Sequence, residues 1–279
     1  MINSSIHSIV PARSSIADIA AALRGTPLVL MLDIDGTLCD IVPHPDDSRV
    51  PDDTRDLLAR LMAMPGVHVA FVTGRSVRDA VRIVGLGGIH VHGNHGIEVA
   101  SPRGTIEIDA TARNAEISLR TAAATLARVA RDVDGVLIED KRYTLSLHYR
   151  LAPESVVSRL RDTVQDVAER HGLVMTEGNC VLELRPPKST DKGGAVLRIA
   201  RELKADRPQA SVLFAGDDLS DEDAFRALRA EIPHAVTVSV GDRVASTAAQ
   251  YRLADPLALR VLLERVATFR EAHGPERRL

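Results

Sequence analysis

Apolar and polar positions along the chain follow two different rhythms. In its first part, short apolar runs alternate with helical patterns: "PLVLML", a helix over residues 54–64, "VHVAFV", a helix over residues 77–84, then "GIHVHG". The same rhythm returns later, with a helix over residues 193–203, "SVLFAG", a helix over residues 221–230 and "AVTVSV". Unbroken apolar strands alternating with helices are what a parallel sheet covered on both faces requires, so the two stretches read as halves of one α/β domain. Between them the period changes. Residues 113–133 form an alanine-rich amphipathic pattern with Leu119, Ala123, Leu126, Val129 and Val133 near one face. "YTLSLHYR" then alternates strictly, Tyr143, Leu145, Leu147 and Tyr149 against Thr144, Ser146, His148 and Arg150. A helix over residues 154–170 and a second alternating run, "CVLELRP", follow. Strict alternation predicts an antiparallel sheet with one face on a core and the other in water. The expected architecture is a parallel-sheet α/β core over residues 1–108 and 186–279, with a smaller α+β domain inserted over residues 109–185.

Ligands of open parallel sheets bind at the carboxyl ends of the strands, and four such ends carry polar residues. "LVLMLDIDGTLCD" delivers Asp33 and Asp35 into Gly36 and Thr37. Alternation along an extended chain lets both carboxylates point the same way, and like charges that close repel unless a cation lies between them. A single aspartate there would read as turn chemistry. The pair, following a buried strand, calls for more. Thr73, Gly74 and Arg75 follow "VHVAFV"; Lys192 opens a helix that Thr190 or Asp191 can cap. "FAGDDLSDEDAF" concentrates Asp217, Asp218, Asp221, Glu222 and Asp223. Glu222 and Asp223 suit the capping of the following helix, which leaves Asp217 and Asp218 in excess at the strand end. Oxygen ligands at that density imply a hard divalent cation, Mg²⁺. A nucleophilic carboxylate, a second carboxylate to move protons, a hydroxyl, a lysine and an acidic metal pocket together suit phosphoryl transfer. A carboxylate approaches a dianionic phosphate only where positive charge neutralises it.

The 279 residues, 45% hydrophobic and 26% charged, suffice for one large domain or two smaller ones with real cores. A formal net charge of -3 lacks the basic footprint that nucleic-acid binding requires. Two cysteines, Cys39 and Cys180, are too few for a disulfide framework and point to a reducing, cytoplasmic setting. The opening stretch has no basic segment followed by a long apolar run, and no window is apolar enough to span a membrane. A cytoplasmic monomer without nucleic-acid or membrane partners is expected. With no tryptophan and 3% aromatic residues, recognition has to rest on polar side chains.

In this order, Asp33–Thr37 as DxDGT, then Thr73, then Lys192, then Asp217 with Asp218, the motifs resemble the haloacid dehalogenase superfamily of phosphatases, which implies a Rossmann-like core with an inserted cap. Within it the chain is similar to the trehalose-6-phosphate phosphatase family in "GNHGIE" (93–98), "SLHYR" (146–150), "LELRP" (182–186), "DKGGA" (191–195) and "GDDLSDEDAF" (216–225), departing at Ser220, where that family more often has threonine. The resemblance implies that Asp33 is the nucleophile and forms an aspartyl-phosphate, and that Asp35 protonates the leaving sugar oxygen and then activates water. It implies Mg²⁺ held by Asp33, the Asp35 carbonyl and Asp217, with Asp218 or Asp221 in support. Thr73 and Lys192 would bind the phosphoryl oxygens, with Gly36, Thr37, Gly74 and Arg75 around them. The cap side would read trehalose 6-phosphate through His95, Glu98, His148, Arg150, Glu183 and Arg185. His92 and His95, flanked by glycines, read as a loop at the cap junction rather than a transition-metal site. Another sugar phosphate, sucrose phosphate or a glycosyl-phosphoglycerate, is the alternative substrate, since such relatives share the motifs and differ in the cap. A phosphoacceptor receiver domain would carry its acidic pair on the first strand and its phosphoacceptor on a later one, without an aspartate two residues on. A sugar-phosphate sensor without turnover fits poorly, because every catalytic position is filled.

Overall fold

Each apolar run in the sequence forms a strand. The computed structural model describes residues 16–178, 180–187 and 189–273; the leading stretch through residue 15, most of the segment read for a leader pattern, lies outside the described residues. In chain order the elements are α1 (Ile16–Ala21), β1 (Leu28–Leu32), α2 (Asp52–Met62), β2 (Val67–Val72), α3 (Val77–Val84), β3 (His90–Gly93), β4 (Glu98–Ala100), β5 (Ile106–Ile108), α4 (Ala110–Arg131) and β6 (Leu137–Asp140). Then come β7 (Leu145–His148), α5 (Glu154–Arg170), β8 (Val174–Gly178), β9 (Val181–Arg185), α6 (Lys192–Glu202), β10 (Ser211–Gly216), α7 (Leu219–Glu231), β11 (Val236–Val240), β12 (Tyr251–Leu253) and α8 (Pro256–His273). No helix among the described residues is long and apolar enough to cross a membrane.

Two compact units divide the chain. The first takes the described residues up to Asp40, Val50–Ala70, and those from Val196 onward. In it β1 pairs in parallel with β10, β10 with β11, and β11 with β12. Every residue of β1, β10 and β11 is buried, which is why these strands read as unbroken apolar runs rather than alternating ones. Helices cover them with apolar stripes, Leu57, Leu58 and Leu61 of α2, Ala224, Phe225 and Leu228 of α7, and Leu259, Leu262, Leu263 and Val266 of α8. Phe225 sets its ring edge-on to Phe214 of β10 at 5.4 Å, a favoured aromatic geometry. The parallel register brings Leu32 opposite Ala215, so β1 and β10 end level with one another.

The second unit is Ile41–Arg49 with Phe71–Ala195. It contains the antiparallel pairs β3–β4 and β4–β5 and a four-stranded antiparallel sheet in the order β6-β7-β9-β8. Helices α4 and α5 bury one face of that sheet: Leu119, Leu126, Leu160 and Val164 pack on Leu145, Leu147, Leu182 and Leu184. The expectation of a wet opposite face is corrected. Thr144 is 0% and Ser146 1% exposed. Alternation reports polarity, not contact with water, and these hydroxyls are satisfied inside: Thr144 Oγ1 donates to Asn94 Oδ1 at 2.8 Å and Ser146 Oγ to Glu183 Oε1 at 3.3 Å. The strand is also shorter than the run that announced it, so Arg150 lies beyond its end in an exposed turn. Strands β4, β5, β6, β8 and β12 are three to five residues long, too short for a period to register. Helix α8 runs through the C-terminal stretch of the described residues.

Candidate active site

In the first unit, Asp33 follows β1 and Asp217 follows β10, and the Asp33 amide continues the ladder by donating to the Ala215 carbonyl at 3.0 Å. One carboxylate oxygen from each of Asp33, Asp217 and Asp221 lies within 4.8 Å of the other two, all three residues being buried. The turn after Asp35 closes on this cluster because residue 36 is glycine. Its φ is +80°, and a Cβ there would stand 2.2 Å from Asp217 Oδ2, so the turn conformation and the close approach both exclude a side chain. Thr37 Oγ1 donates to Asp217 Oδ1 at 3.2 Å and Arg243 Nη1 to Asp217 Oδ2 at 2.9 Å. Three buried carboxylates at such separations repel unless a cation joins them, and an all-oxygen donor set fits a hard ion such as Mg²⁺ rather than a thiolate- or imidazole-seeking metal.

The acidic segment that follows divides its labour differently from the expectation. Helix α7 starts at Leu219, so Asp218 is its N-cap and Asp221 its third residue; the two form a reciprocal capping box. Asp221 Oδ2 accepts from the Asp217 and Asp218 amides, each at 3.0 Å. Glu222, expected to cap, is instead buried, accepting from the Thr247 hydroxyl and from the Ala248 amide at 2.7 Å. Asp223 lies outside beside Arg226. A cap is set by position relative to the helix start, and that start lies two residues earlier than residue 221.

In the second unit, Thr73 follows β2 and is 1% exposed. Its amide donates to the His92 carbonyl and its carbonyl accepts from the His95 amide, both at 2.9 Å, while the Asn94 amide donates to the Arg75 carbonyl at 2.7 Å. These bonds hold Asn94 and His95 at φ +47° and +59°, a left-handed conformation that non-glycine residues keep only where neighbours over-determine it. Glu98, expected to touch substrate, is committed to this scaffold: Oε2 accepts from the Val77 amide that opens α3 at 2.9 Å, and Oε1 from Asn94 Nδ2 at 2.6 Å. Burial pushes its carboxyl above the ordinary range. Arg75 Nη1 donates to the Pro45 carbonyl at 3.0 Å. Lys192 begins α6, 3% exposed, in a turn where Asp191 Oδ1 accepts from the Gly194 amide at 2.8 Å.

The sheet register of the same unit lines up Glu139, Ser146, Glu183 and Thr176 across four strands. Around that row the charges pair. His95 Nε2 is 3.0 Å from Glu183 Oε2, and Lys141 Nζ donates to Glu183 Oε1 at 3.2 Å and to the Gly74 carbonyl at 2.9 Å. His148 Nε2 meets Glu139 Oε2 at 2.8 Å. Burial would raise the Glu183 carboxyl, yet the charges of His95, Lys141 and Arg185 outweigh it and hold it well below the usual carboxylate range. For Glu139 burial again pushes up, and the His148 hydrogen bond with the charges of Lys141, His148 and Arg75 brings it down to about 2 from 4.5.

A carboxyl whose folded pKa is depressed contributes stability above its unfolded pKa and loses it as pH falls through the folded value. Comparing the parent with Glu139→Gln by urea unfolding, the variant's deficit is expected to be about 3 kcal/mol at pH 7 and to shrink by more than half at pH 3. An equal deficit at both pH values would show that the charge pairing is not its origin.

Of the residues named from the sequence, the structure brings together Asp33, Asp217 and Asp221 in one unit, and His95, Ser146 and Glu183 in the other. Asp35 is half-buried in the turn with Gly36, bridged to Cys39. Arg150 and Arg185 are not part of the Glu139–Glu183 row; Arg185 turns to the connection before α6. Lys141, Glu139, Asn94 and Arg243 escaped the sequence reading. For Glu139 and Lys141 a signal exists in "IEDK", whose charges two apart share one face of a strand, but β6 is too short to announce itself.

A family model described as Trehalose-phosphatase matches residues 31–257. The chain is similar to the trehalose-phosphate phosphatase of Mycobacterium tuberculosis, 35% identical over 244 residues that cover 85% of this chain and 61% of the relative. It is similar also to that of Mycobacterium avium, 34% identical over 254 residues covering 89% and 64%. The chain thus spans about three fifths of the length of the curated relatives it matches. Among solved structures it is similar to a trehalose-6-phosphate phosphatase related protein, with TM-score 0.75 and 26% identity over 88% of this chain and 99% of that one. A haloacid dehalogenase-like hydrolase from B. subtilis, at TM-score 0.56 and 14% identity over 85% and 98%, shares the fold. The architecture is therefore the α/β, haloacid dehalogenase-like one expected.

Proposed function

Because the chain belongs to the trehalose-phosphatase family, we propose that it is a Mg²⁺-dependent phosphatase that hydrolyses trehalose 6-phosphate to trehalose and phosphate. The observation that carries the reading is the buried cluster of Asp33, Asp217 and Asp221 at the ends of β1 and β10. Those carboxylates would hold Mg²⁺ with the Asp35 carbonyl, Asp218 supporting through the α7 cap; the ion supplies charge neutralisation for the phosphate dianion. Asp33 attacks phosphorus as the bond from phosphorus to the sugar O6 breaks, and Asp35 donates its proton to the departing oxygen. The aspartyl-phosphate on Asp33 is then opened by a water that attacks phosphorus as the bond to the Asp33 oxygen breaks, its proton passing to Asp35, which releases phosphate and restores Asp33 as a carboxylate and Asp35 as the protonated acid. Thr73 and Lys192 bind the phosphoryl oxygens during both steps.

Specificity is assigned to the row containing Glu139 and Glu183, with Lys141 beside it. A disaccharide offers many hydroxyls, and buried carboxylates and an ammonium that bond them discriminate strongly against analogues lacking them. The inserted α+β domain, over residues 109–185, is proposed as a cap. A cytoplasmic setting agrees with Cys39 and Cys180 remaining thiols.

The test is phosphate release from a panel of trehalose 6-phosphate, sucrose phosphate and glucose 6-phosphate, with Mg²⁺ and after chelation. Trehalose 6-phosphate is expected to be turned over best and only with the metal. Turnover no better than that of the other sugar phosphates would remove the substrate assignment and leave the phosphatase reading; full activity after chelation would remove the metal.

A further inference from the structure

We propose that Arg185 is a positioning residue for phosphoryl binding and not a sugar ligand: it fixes the connection that carries Lys192. The inference rests on the proposed role of Lys192 in holding the phosphoryl oxygens. Strand alternation puts Arg185 on the face of Glu183, where it would meet a sugar. The structure gives its fork another task. Nε donates to Ser189 Oγ at 3.1 Å and Nη2 to the Thr190 carbonyl. Ser189 Oγ in turn donates to the Pro186 carbonyl at 2.9 Å. The connection leaving β9 is thereby folded back onto the last residue of the strand it leaves.

Helix α6 starts directly after this connection. The Asp191 carbonyl accepts from the Ala195 amide at 3.0 Å and its carboxylate from the Gly194 amide at 2.8 Å, so Lys192 begins the helix within two residues of the carbonyl that Arg185 holds. The other side of the connection packs against residue 96, where a Cβ would stand 2.9 Å from Ala195 Cβ and 3.1 Å from Thr190 Cγ2. The turn carrying Lys192 is wedged between that backbone and the Arg185 fork. Of the two neighbouring charges on this strand, Glu183 pairs with Lys141, which holds the Gly74 carbonyl by a bond of its own, and Arg185 fixes the approach to Lys192. A lysine cannot replace that fork, because a single ammonium lacks two donors diverging in one plane.

The test separates oxyanion binding from sugar binding in the full chain. Tungstate, a phosphate mimic, is titrated calorimetrically in the presence of Mg²⁺; trehalose is measured as a competitive inhibitor of p-nitrophenyl phosphate turnover. Arg185→Met is expected to weaken tungstate roughly tenfold or more and to lower kcat on the sugar-free ester by a similar factor, while the trehalose inhibition constant stays within about threefold. Arg185→Lys is expected to rescue little. Ser189→Ala removes one of the two contacts with less disturbance of the fold, and is expected to show the same asymmetry in weaker form. Trehalose binding weakened with tungstate unchanged, both weakened alike, or neither affected in Ser189→Ala and Arg185→Met would overturn the proposal. Turnover of trehalose 6-phosphate by the unaltered chain decides the function reading; the asymmetry between tungstate and trehalose decides this one.

Discussion

Asp33→Asn is expected to lower turnover of trehalose 6-phosphate roughly 10⁴-fold or more, with the fold retained. The amide keeps the shape of the carboxylate and loses the nucleophilic oxygen. Because Asp33 also belongs to the carboxylate cluster, the variant loses one ligand charge as well, so the measurement is made at saturating Mg²⁺. A folded variant with parent-like turnover there would sink the nucleophile assignment. The cluster gives a second readout that does not depend on activity. With metal chelated, three buried carboxylates repel one another, and neutralising one removes part of that repulsion. The thermal midpoint of the metal-free variant is expected to match or exceed that of the metal-free parent, and a lower midpoint would show that the Asp33 charge is compensated without metal.

The second large effect is expected at Glu183. Its carboxylate is 7% exposed and joins His95, Lys141 and Ser146. Glu183→Ala leaves His95 and Lys141 facing one another without their counterion, at a cost of about 3 kcal/mol in unfolding free energy. The sign of the pH dependence comes from the depressed pKa. Stability from Glu183 is present above the ordinary carboxylate pKa and lost as pH falls toward the folded value, so the deficit is measured at neutral pH and shrinks in acid. On activity, the variant is expected to lose roughly 10²-fold in kcat/KM for trehalose 6-phosphate and far less for p-nitrophenyl phosphate, which has no hydroxyls to read. Lys141 keeps its bond to the Gly74 carbonyl, so the phosphate side is not dismantled. Equal losses on both substrates would show that Glu183 does not read the sugar.

Much of the first unit was legible because its information is local. The run Leu28–Leu32 announces a strand buried on both faces, and Asp33, Asp35 and Gly36 follow it within four residues. Similarly, "SVLFAG" leads straight into Asp217. The second unit was legible only in phase. Thr144, Ser146 and Glu183 could be placed on the polar side of their strands, but the water expected there is replaced by Asn94, Lys141 and His95. The role of Glu98 was missed for the same reason: its partners, the Val77 amide and Asn94, are set by how α3 meets the β3–β4 turn.

From the sequence alone came the polarity of each position, the phase of most strands and helices, and the residues proposed to transfer a phosphoryl group, since these depend on side-chain chemistry and on periods of two or 3.6 residues. The tertiary structure decided which polar groups are buried and with whom they pair: Asp217 with Arg243, Glu183 with His95 and Lys141, and Arg185 with the turn before Lys192. The reason is physical. Desolvation and Coulomb attraction depend on what lies opposite a group within a few ångströms; for Asp217 and Glu183 that surface is supplied by segments distant in sequence, and for Arg185 by how the chain folds back four and five residues on, neither of which a local pattern records.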